Sequence, residues 1–183
     1  MAFLKALYFA ALLPSQEVKE VVRNLKLEIK EKFGAAHALK LPAHITLIAP
    51  VWLQNEQEKP LVEAIREVSK EQVSFPVELE GFGKFDQQAI FLNVVDHEPV
   101  KVLHHKLAGA LTGIFTVREE RNLHPHITLA TRDLPQNRFK EAWESFNDRD
   151  ILLGFDATAL TLFKHNGKTW DVLENLPFLK SPQ

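Results

Sequence analysis

The sequence predicts an α+β protein built from two β-α-β-α-β units that are related by a pseudo-two-fold axis. Two observations lead to this fold class. Apolar segments of strand length and of helix length alternate along the chain, and the tetrapeptide HITL occurs at residues 44–47 and again 82 residues later, at 126–129. The same offset places Phe9 on Phe91, in the strand that precedes the first helix of each unit. The repeat divides the single domain 1–183 into halves of about 1–82 and 83–183.

The first unit begins with a buried strand at residues 3–12, an apolar and aromatic run that ends before Pro14. Ser15 is a suitable N-cap for a helix that continues to Phe33 with one apolar face, and Gly34 ends that helix. The remaining elements of this unit are a strand at 43–49, a helix that begins at Pro60, and a strand at 75–81.

The second unit repeats this order and adds strands at its end. Asn166 and Gly167 predict a tight hairpin between the last two strands. The expected elements are a strand at 89–95, a helix at 99–111, a strand-like stretch at 115–118, a strand at 126–131, a helix at 135–146, and strands at 158–163 and 169–173.

Composition excludes several classes of function. The 22 Lys and Arg residues against 24 Asp and Glu residues give a net charge of −2, which disfavours a non-specific grip on long duplex nucleic acid. The absence of Cys excludes disulfides, thiolate metal sites and cysteine nucleophiles. No apolar run approaches the ~20 residues of a membrane-spanning helix, and the apolar residues 6–13 are better explained by a buried strand than by a signal peptide. We therefore expect a cytoplasmic monomer that does not bind membranes.

The repeated tetrapeptide places an imidazole and a hydroxyl on one face of a strand. Because successive side chains of a strand point to opposite faces, His44 and Thr46 share one face, as do His126 and Thr128. The aliphatic residues between them point the other way, toward a core. A two-fold axis between the units can bring both faces to one central groove that holds two imidazoles and two hydroxyls.

This set of groups suits the cleavage of a phosphodiester. With an unperturbed pKa of ~6.5, one imidazole can accept a proton from the nucleophile while another donates one to the leaving group. The two threonine hydroxyls can hold the non-bridging phosphoryl oxygens. No metal or other cofactor is expected, because two histidines without an adjacent carboxylate fall short of the usual three protein ligands of catalytic zinc.

The two H-x-T motifs, each continued by Leu, in a duplicated chain of this length resemble those of the 2H phosphoesterase superfamily. That family includes the bacterial 2′-5′ RNA ligase-like proteins and the cyclic nucleotide phosphodiesterases. The resemblance implies two antiparallel-rich sheets around a central cleft with helices outside, and metal-independent attack on 2′,3′-cyclic or related phosphodiesters. It also implies that His44, Thr46, His126 and Thr128 are catalytic, with one histidine activating water and the other protonating the leaving 3′ oxygen. It does not assign the two roles.

The residues around the motifs refine the expected substrate. Many ligase-like members carry a basic residue soon after each motif, whereas here the first continues Ile-Ala-Pro and the second has Arg132 one place later than expected. This disfavours a long RNA substrate and leaves small nucleotides or a different phosphodiester open; the expected partner is a small nucleotide or an RNA-end phosphodiester. Candidate substrate contacts are the Tyr8 hydroxyl in the first strand, Phe85 in a loop, Arg132 and Lys164.

Other interpretations of the same residues stay open. The remaining histidines are expected at the surface, including the adjacent pair His104 and His105 on a helix, although His124 could approach the cleft from two residues before His126. Two other functions fit the motifs. One is 2′-5′ RNA ligation, which is the same proton chemistry in reverse, and the other is non-catalytic binding of a nucleotide or RNA end.

Overall fold

The computed structural model describes residues 4–117 and 123–181 and contains two four-stranded antiparallel sheets. Four α-helices and two short 3-10 helices lie in these residues. The strands are β1 (Lys5–Leu12), β2 (Ile45–Gln54), β3 (Phe75–Phe85), β4 (Ala89–Val94), β5 (His126–Thr131), β6 (Leu152–Ala157), β7 (Ala159–His165) and β8 (Trp170–Pro177). The helices are α1 (Gln16–Phe33), α2 (Glu58–Glu71), α3 (Glu98–Leu111) and α4 (Gln136–Glu144), with 3-10 turns at His37–Lys40 and Asn55–Gln57.

The two sheets exchange strands between the halves of the chain. The first sheet has the order β2-β1-β7-β8 and the second has the order β5-β4-β3-β6. Thus β7 and β8 of the second half complete the first sheet, while β3 of the first half lies in the second sheet. The expected boundary near residue 82 falls inside β3. The α+β class and the two antiparallel sheets are confirmed.

The sheets and helices share one main core. α1 follows β1 of the first sheet but packs against β5, an edge strand of the second sheet. α3 follows β4 of the second sheet but packs against β2, an edge strand of the first sheet. A smaller cluster of Phe9, Ala11 and Phe163 lies on the other face of the first sheet. Because Phe9 also contacts the ring of His44, this second face is the one that carries the first H-x-T motif.

Helix α1 begins and ends where the sequence predicts. The Ser15 side chain accepts a hydrogen bond from the backbone N–H of Val18, which satisfies one of the unpaired donors of the first turn. Gly34 adopts φ = 82° at the other end, a left-handed conformation that glycine takes without steric cost. The hairpin at Asn166 and Gly167 is also present, with the backbone N–H of Asn166 donating to the carbonyl of Thr169.

Several element boundaries differ from expectation for identifiable reasons. β3 continues to Phe85 because Gly81, at φ = 67°, absorbs a register shift in its pairing with β4. β2 continues through Pro50 because that residue lies in an irregular part of an edge strand, where its missing N–H breaks no continuous ladder. Strand β6 was not predicted, residues 115–117 form no strand, and residue 118 lies outside the described residues.

No α-helix among residues 4–117 and 123–181 combines the length and the apolar character that crossing a membrane requires.

Candidate functional site

The two edge strands β2 and β5 bring the H-x-T motifs together. They lie at corresponding edges of the two sheets and contact each other. Residues 45, 47, 127 and 129 are at most 2% exposed in the main core, whereas the histidine and threonine of each motif are partly exposed. The alternation that the sequence predicts is therefore present in both strands.

The two motifs also share an irregularity of strand pairing. The partner of Thr46 on β1 is Ala11, and the partner of Thr128 on β4 is Phe91; in both pairs the register shifts at the next residue. The structural counterpart of Phe91 is therefore Ala11 and not Phe9. Phe9 and Phe91 lie in corresponding strands, as the 82-residue offset predicts, but their register differs by two residues. The reason is that the connection from the first strand to the motif is two residues longer in the second half.

Both motif histidines are oriented by the same backbone contact. The Nδ1 atom of His44 lies 2.8 Å from the carbonyl oxygen of Pro42, and Nδ1 of His126 lies 2.6 Å from that of His124. A carbonyl oxygen only accepts, so each Nδ1 carries a proton and donates it. Any proton that either ring takes up or releases is therefore carried by Nε2. The sequence offers no signal for these contacts, since every residue has a carbonyl group.

The electrostatic environment favours neutral His44. Burial lowers the pKa of its imidazole, and the positive charges of Lys26 and His126 lower it further, whereas the hydrogen bond to the Pro42 carbonyl opposes the shift. His44 and His126 are thus close enough to influence each other, and a state with one ring neutral and one charged is favoured over a doubly charged pair.

Aromatic rings border each imidazole. The ring of Phe9 lies 5.5 Å from that of His44 and stacks on Phe163 at 4.5 Å. In the other sheet, Phe91 and Phe85 lie 4.8 and 5.0 Å from His126. Phe163 and Phe85 occupy corresponding positions in the two sheets. Phe163 pairs with Phe9 of β1 and Phe85 pairs with Ala89 of β4, and Phe9 corresponds to Ala89 just as Ala11 corresponds to Phe91.

Phe85 is a terminal strand residue and not the loop residue that the sequence suggested. Its side chain is 39% exposed beside His126 and leaves ring surface accessible. Of the four candidate substrate contacts, it is the one that the structure places next to a motif histidine.

Tyr8 and Lys164 lie on the opposite face of the first sheet. Tyr8 is 1% exposed in the main core, and its hydroxyl donates to Glu58 at 2.6 Å. Lys164 pairs with Tyr8 across the strands and donates to the same carboxylate. The expectation that these residues reach the groove is corrected, because Tyr8 and Phe9 are neighbours in a strand and point to opposite sides.

Arg132 follows the far end of β5. It lies six positions after His126, roughly 20 Å along an extended strand. It adopts φ = 54° in an exposed turn, and the next residue, Asp133, accepts hydrogen bonds from the backbone N–H groups of Ala36 and His37. The structure therefore does not bring Arg132 to the histidines.

His124 and His104 are less exposed than expected. The Nε2 atom of His124 is buried and has no hydrogen-bond partner in the described part of the chain, and its ring lies 4.7 Å from that of His97. His104 is 4% exposed, and its Nδ1 donates to the carbonyl of Leu47, so its predicted surface position was wrong. Helical spacing alone did not show that α3 packs beneath β2. His105, its neighbour, is exposed as predicted.

No three His, Asp or Glu side chains within residues 4–117 and 123–181 are grouped as a metal site would require.

The fold and the paired motifs define a 2H-type phosphoesterase architecture, and comparison with known proteins agrees. The chain belongs to the 2′-5′ RNA ligase superfamily, whose family model matches residues 14–169. A relative named "Putative phosphoesterase" from Geobacillus sp. (strain WCH70) is 25% identical over 172 residues, covering 91% of this chain and 93% of the relative. A relative of the same name from Geobacillus kaustophilus (strain HTA426) is 24% identical over the same lengths.

Solved structures share the fold at low sequence identity. TT0787 of Thermus thermophilus superposes with a TM-score of 0.67 at 17% identity, covering 96% of this chain and all of that one. Escherichia coli LigT, solved with 3′-AMP, gives a TM-score of 0.67 at 19% identity and covers 96% of this chain and 99% of LigT. These likenesses establish the arrangement of the two sheets.

Proposed function

We propose that this phosphoesterase is a metal-independent phosphodiesterase that hydrolyses 2′,3′-cyclic phosphates or related small nucleotide and RNA-end phosphodiesters in the cytoplasm. The observation that carries the proposal is the matched orientation of two imidazoles. His44 and His126 each donate Nδ1–H to the carbonyl two residues earlier, so Nε2 is the proton-exchanging atom in both rings.

The proposed reaction is an in-line displacement at phosphorus. Nε2 of one neutral imidazole takes a proton from water as the water oxygen bonds to phosphorus, and the bond from phosphorus to one ribose oxygen breaks. The other imidazole, charged, gives its Nε2 proton to that leaving oxygen. Thr46 and Thr128, which are partly exposed beside the histidines, donate to the non-bridging oxygens and stabilise the charge that develops there.

A small nucleotide is the substrate class that the surroundings favour. The exposed ring surface of Phe85 beside His126 can stack on a base, an interaction of about 1–3 kcal/mol per base. LigT has been crystallised with 3′-AMP, NADP+ and ATP. The net charge of −2 gives no general attraction for a long polyanion.

Incubation of the protein with 2′,3′-cyclic nucleotides, with and without a chelator, tests the proposal. We expect a nucleoside monophosphate to form at the same rate in both conditions. H44A and H126A should each lower kcat by about 10²-fold or more, the scale of one acid–base group, whereas H105A, which removes an exposed imidazole, should change nothing. Full activity of either motif variant would refute the two-histidine mechanism.

Two other results would redirect the assignment. Joining of RNA ends in place of hydrolysis would indicate the ligase direction, and saturable nucleotide binding without product over hours would indicate a binding module. F85A tests the stacking contact separately, with an expected rise in KM of about tenfold and little change in kcat.

A further inference from the structure

A cavity of about 310 Å³ lies between helix α1 and the segment that leads into β2. This volume is at the lower end of the range of small-ligand pockets. On one side it is lined by Lys19, Arg23 and Lys26, which are spaced four and three residues apart and so share one face of α1. The opposite wall is formed by Leu39, Leu41, Pro42 and Ala43, the residues immediately before the first motif histidine.

Lys26 occupies a position that the helix otherwise fills with apolar residues. The buried residues of α1 are Val18, Val22, Lys26, Ile29 and Phe33. Only 3% of the surface of Lys26 is exposed, and within residues 4–117 and 123–181 its Nζ donates one hydrogen bond, to the carbonyl of Leu41. No carboxylate lies within ion-pair distance of this ammonium in the described part of the chain. Burying a cation without a counter-ion is unfavourable, so the position is explained if a ligand supplies the missing anion.

The lining carries an excess of positive charge. Glu20 is its one carboxylate, and it accepts a hydrogen bond from Gln16, not from a cation. Burial lowers the pKa of Lys26 to about 8, which leaves the ammonium mostly protonated at neutral pH. Three cations against one carboxylate match a dianion, and the fork of Arg23 suits two oxygens of one tetrahedral anion.

We propose that this cavity is a second anion site that binds a phosphate group, with Lys26 at its base and Arg23 and Lys19 at its opening. A phosphomonoester carries a charge near −2 at neutral pH, which complements the lining. The cavity shares a wall with the candidate site, since Pro42 lines it while the Pro42 carbonyl orients His44.

The bound phosphate has two alternative sources, and each has the same chemistry. It is either a second phosphate of the nucleotide being cleaved, an assignment that rests on the proposed function, or a free phosphate ion. Phosphate binding at the cavity can be measured independently of the proposed function, because it requires no turnover.

Calorimetric titration of inorganic phosphate into the full chain tests binding directly. The titration is performed on the double variant T46V/T128V, which removes the hydroxyl donors of the cleft, and binding is assigned to the cavity by comparison with variants of its lining. We expect a dissociation constant of about 1 mM or tighter. K26M should weaken it by about tenfold or more, the value of one charge-assisted hydrogen bond, and R23A should weaken it similarly. K30M changes an exposed lysine of the same helix that does not line the cavity and should bind as the parent does.

Arg23 is exposed, so R23A does not endanger folding and keeps the test decisive if K26M is poorly folded. Absence of phosphate binding at 10 mM (~10 times the expected dissociation constant), or equal affinity of the parent, K26M and R23A, would overturn the proposal. The source of the phosphate is identified from the KM values of two 2′,3′-cyclic nucleotides, one that carries a 5′-phosphate and one that does not. If the phosphate belongs to the substrate, R23A raises KM about tenfold for the 5′-phosphorylated compound alone. If free phosphate is the ligand, R23A weakens phosphate binding and leaves both KM values unchanged.

Discussion

Replacement of Lys26 by methionine should reveal the cost of its buried charge as a pH dependence of stability. Methionine keeps the length of the side chain and removes the ammonium. In the folded protein the pKa of Lys26 falls from its usual 10.5 to about 8 because burial disfavours the charged form. One pKa unit corresponds to 1.36 kcal/mol, so the depression corresponds to at most about 3 kcal/mol.

The sign of the effect follows from proton binding. Below pH 8 the lysine is charged in both the folded and the unfolded states, and the folded protein bears the full penalty. Between pH 8 and 10.5 the unfolded chain binds more protons than the folded one, so the stability of the wild type rises with pH. Above 10.5 the penalty is gone. K26M has no such group and lacks this rise.

Urea unfolding of both proteins at intervals from pH 7 to pH 10.5, without phosphate, measures the effect. Other titrating groups are common to both proteins and cancel in the difference of unfolding free energy. We expect the wild type to gain up to about 3 kcal/mol relative to K26M across this range. A pH-independent difference would show that the Lys26 ammonium is not buried in the folded protein as described.

Three further outcomes are expected. G83A should lower kcat about tenfold or more with the fold retained, because a Cβ there would overlap the ring of Phe91 and displace it from the motif histidine; unchanged kinetics would contradict this packing. E28Q should lose about 1 kcal/mol of stability at pH 7. The Arg149 guanidinium lowers the pKa of Glu28 to about 2, so the loss should shrink as the pH falls from 4.5 toward 2, and a loss that persists at low pH would oppose the assignment. NMR titration should place the pKa of His44 below 6.5, since burial and nearby positive charge disfavour its protonation; a midpoint above 6.5 would show that these effects do not dominate.

Local patterns in the sequence predicted local structure well. Ser15 and Gly34 mark the ends of α1 because capping chemistry is a property of single residues. The face shared by His44 and Thr46 follows from the period of a strand, and the structure shows it in both motifs. The role of these residues in catalysis stays a prediction.

Long-range relations were harder to predict. The exchange of β3 and β7 between the two sheets depends on which strands pair in space. The alternation of apolar and polar residues predicts a strand but does not identify the strands that pair with it. The face to which the Tyr8 side chain points depends on its exact position in the strand, because a shift of one residue moves a side chain to the opposite face of the sheet. Lys26 was missed because a single lysine in an amphipathic helix gives no sign that its position faces inward.

The exchange of strands has a mechanical consequence. Because β3 continues from α2 into the second sheet and β7 returns from β6 into the first, covalent chain crosses between the sheets at two places. Neither sheet is complete without the other half of the polypeptide, so a fragment cut near residue 82 would expose unpaired backbone on both sides. The backbone, as well as side-chain packing, therefore restrains the distance between the two imidazoles and limits how far the two sheets can move apart.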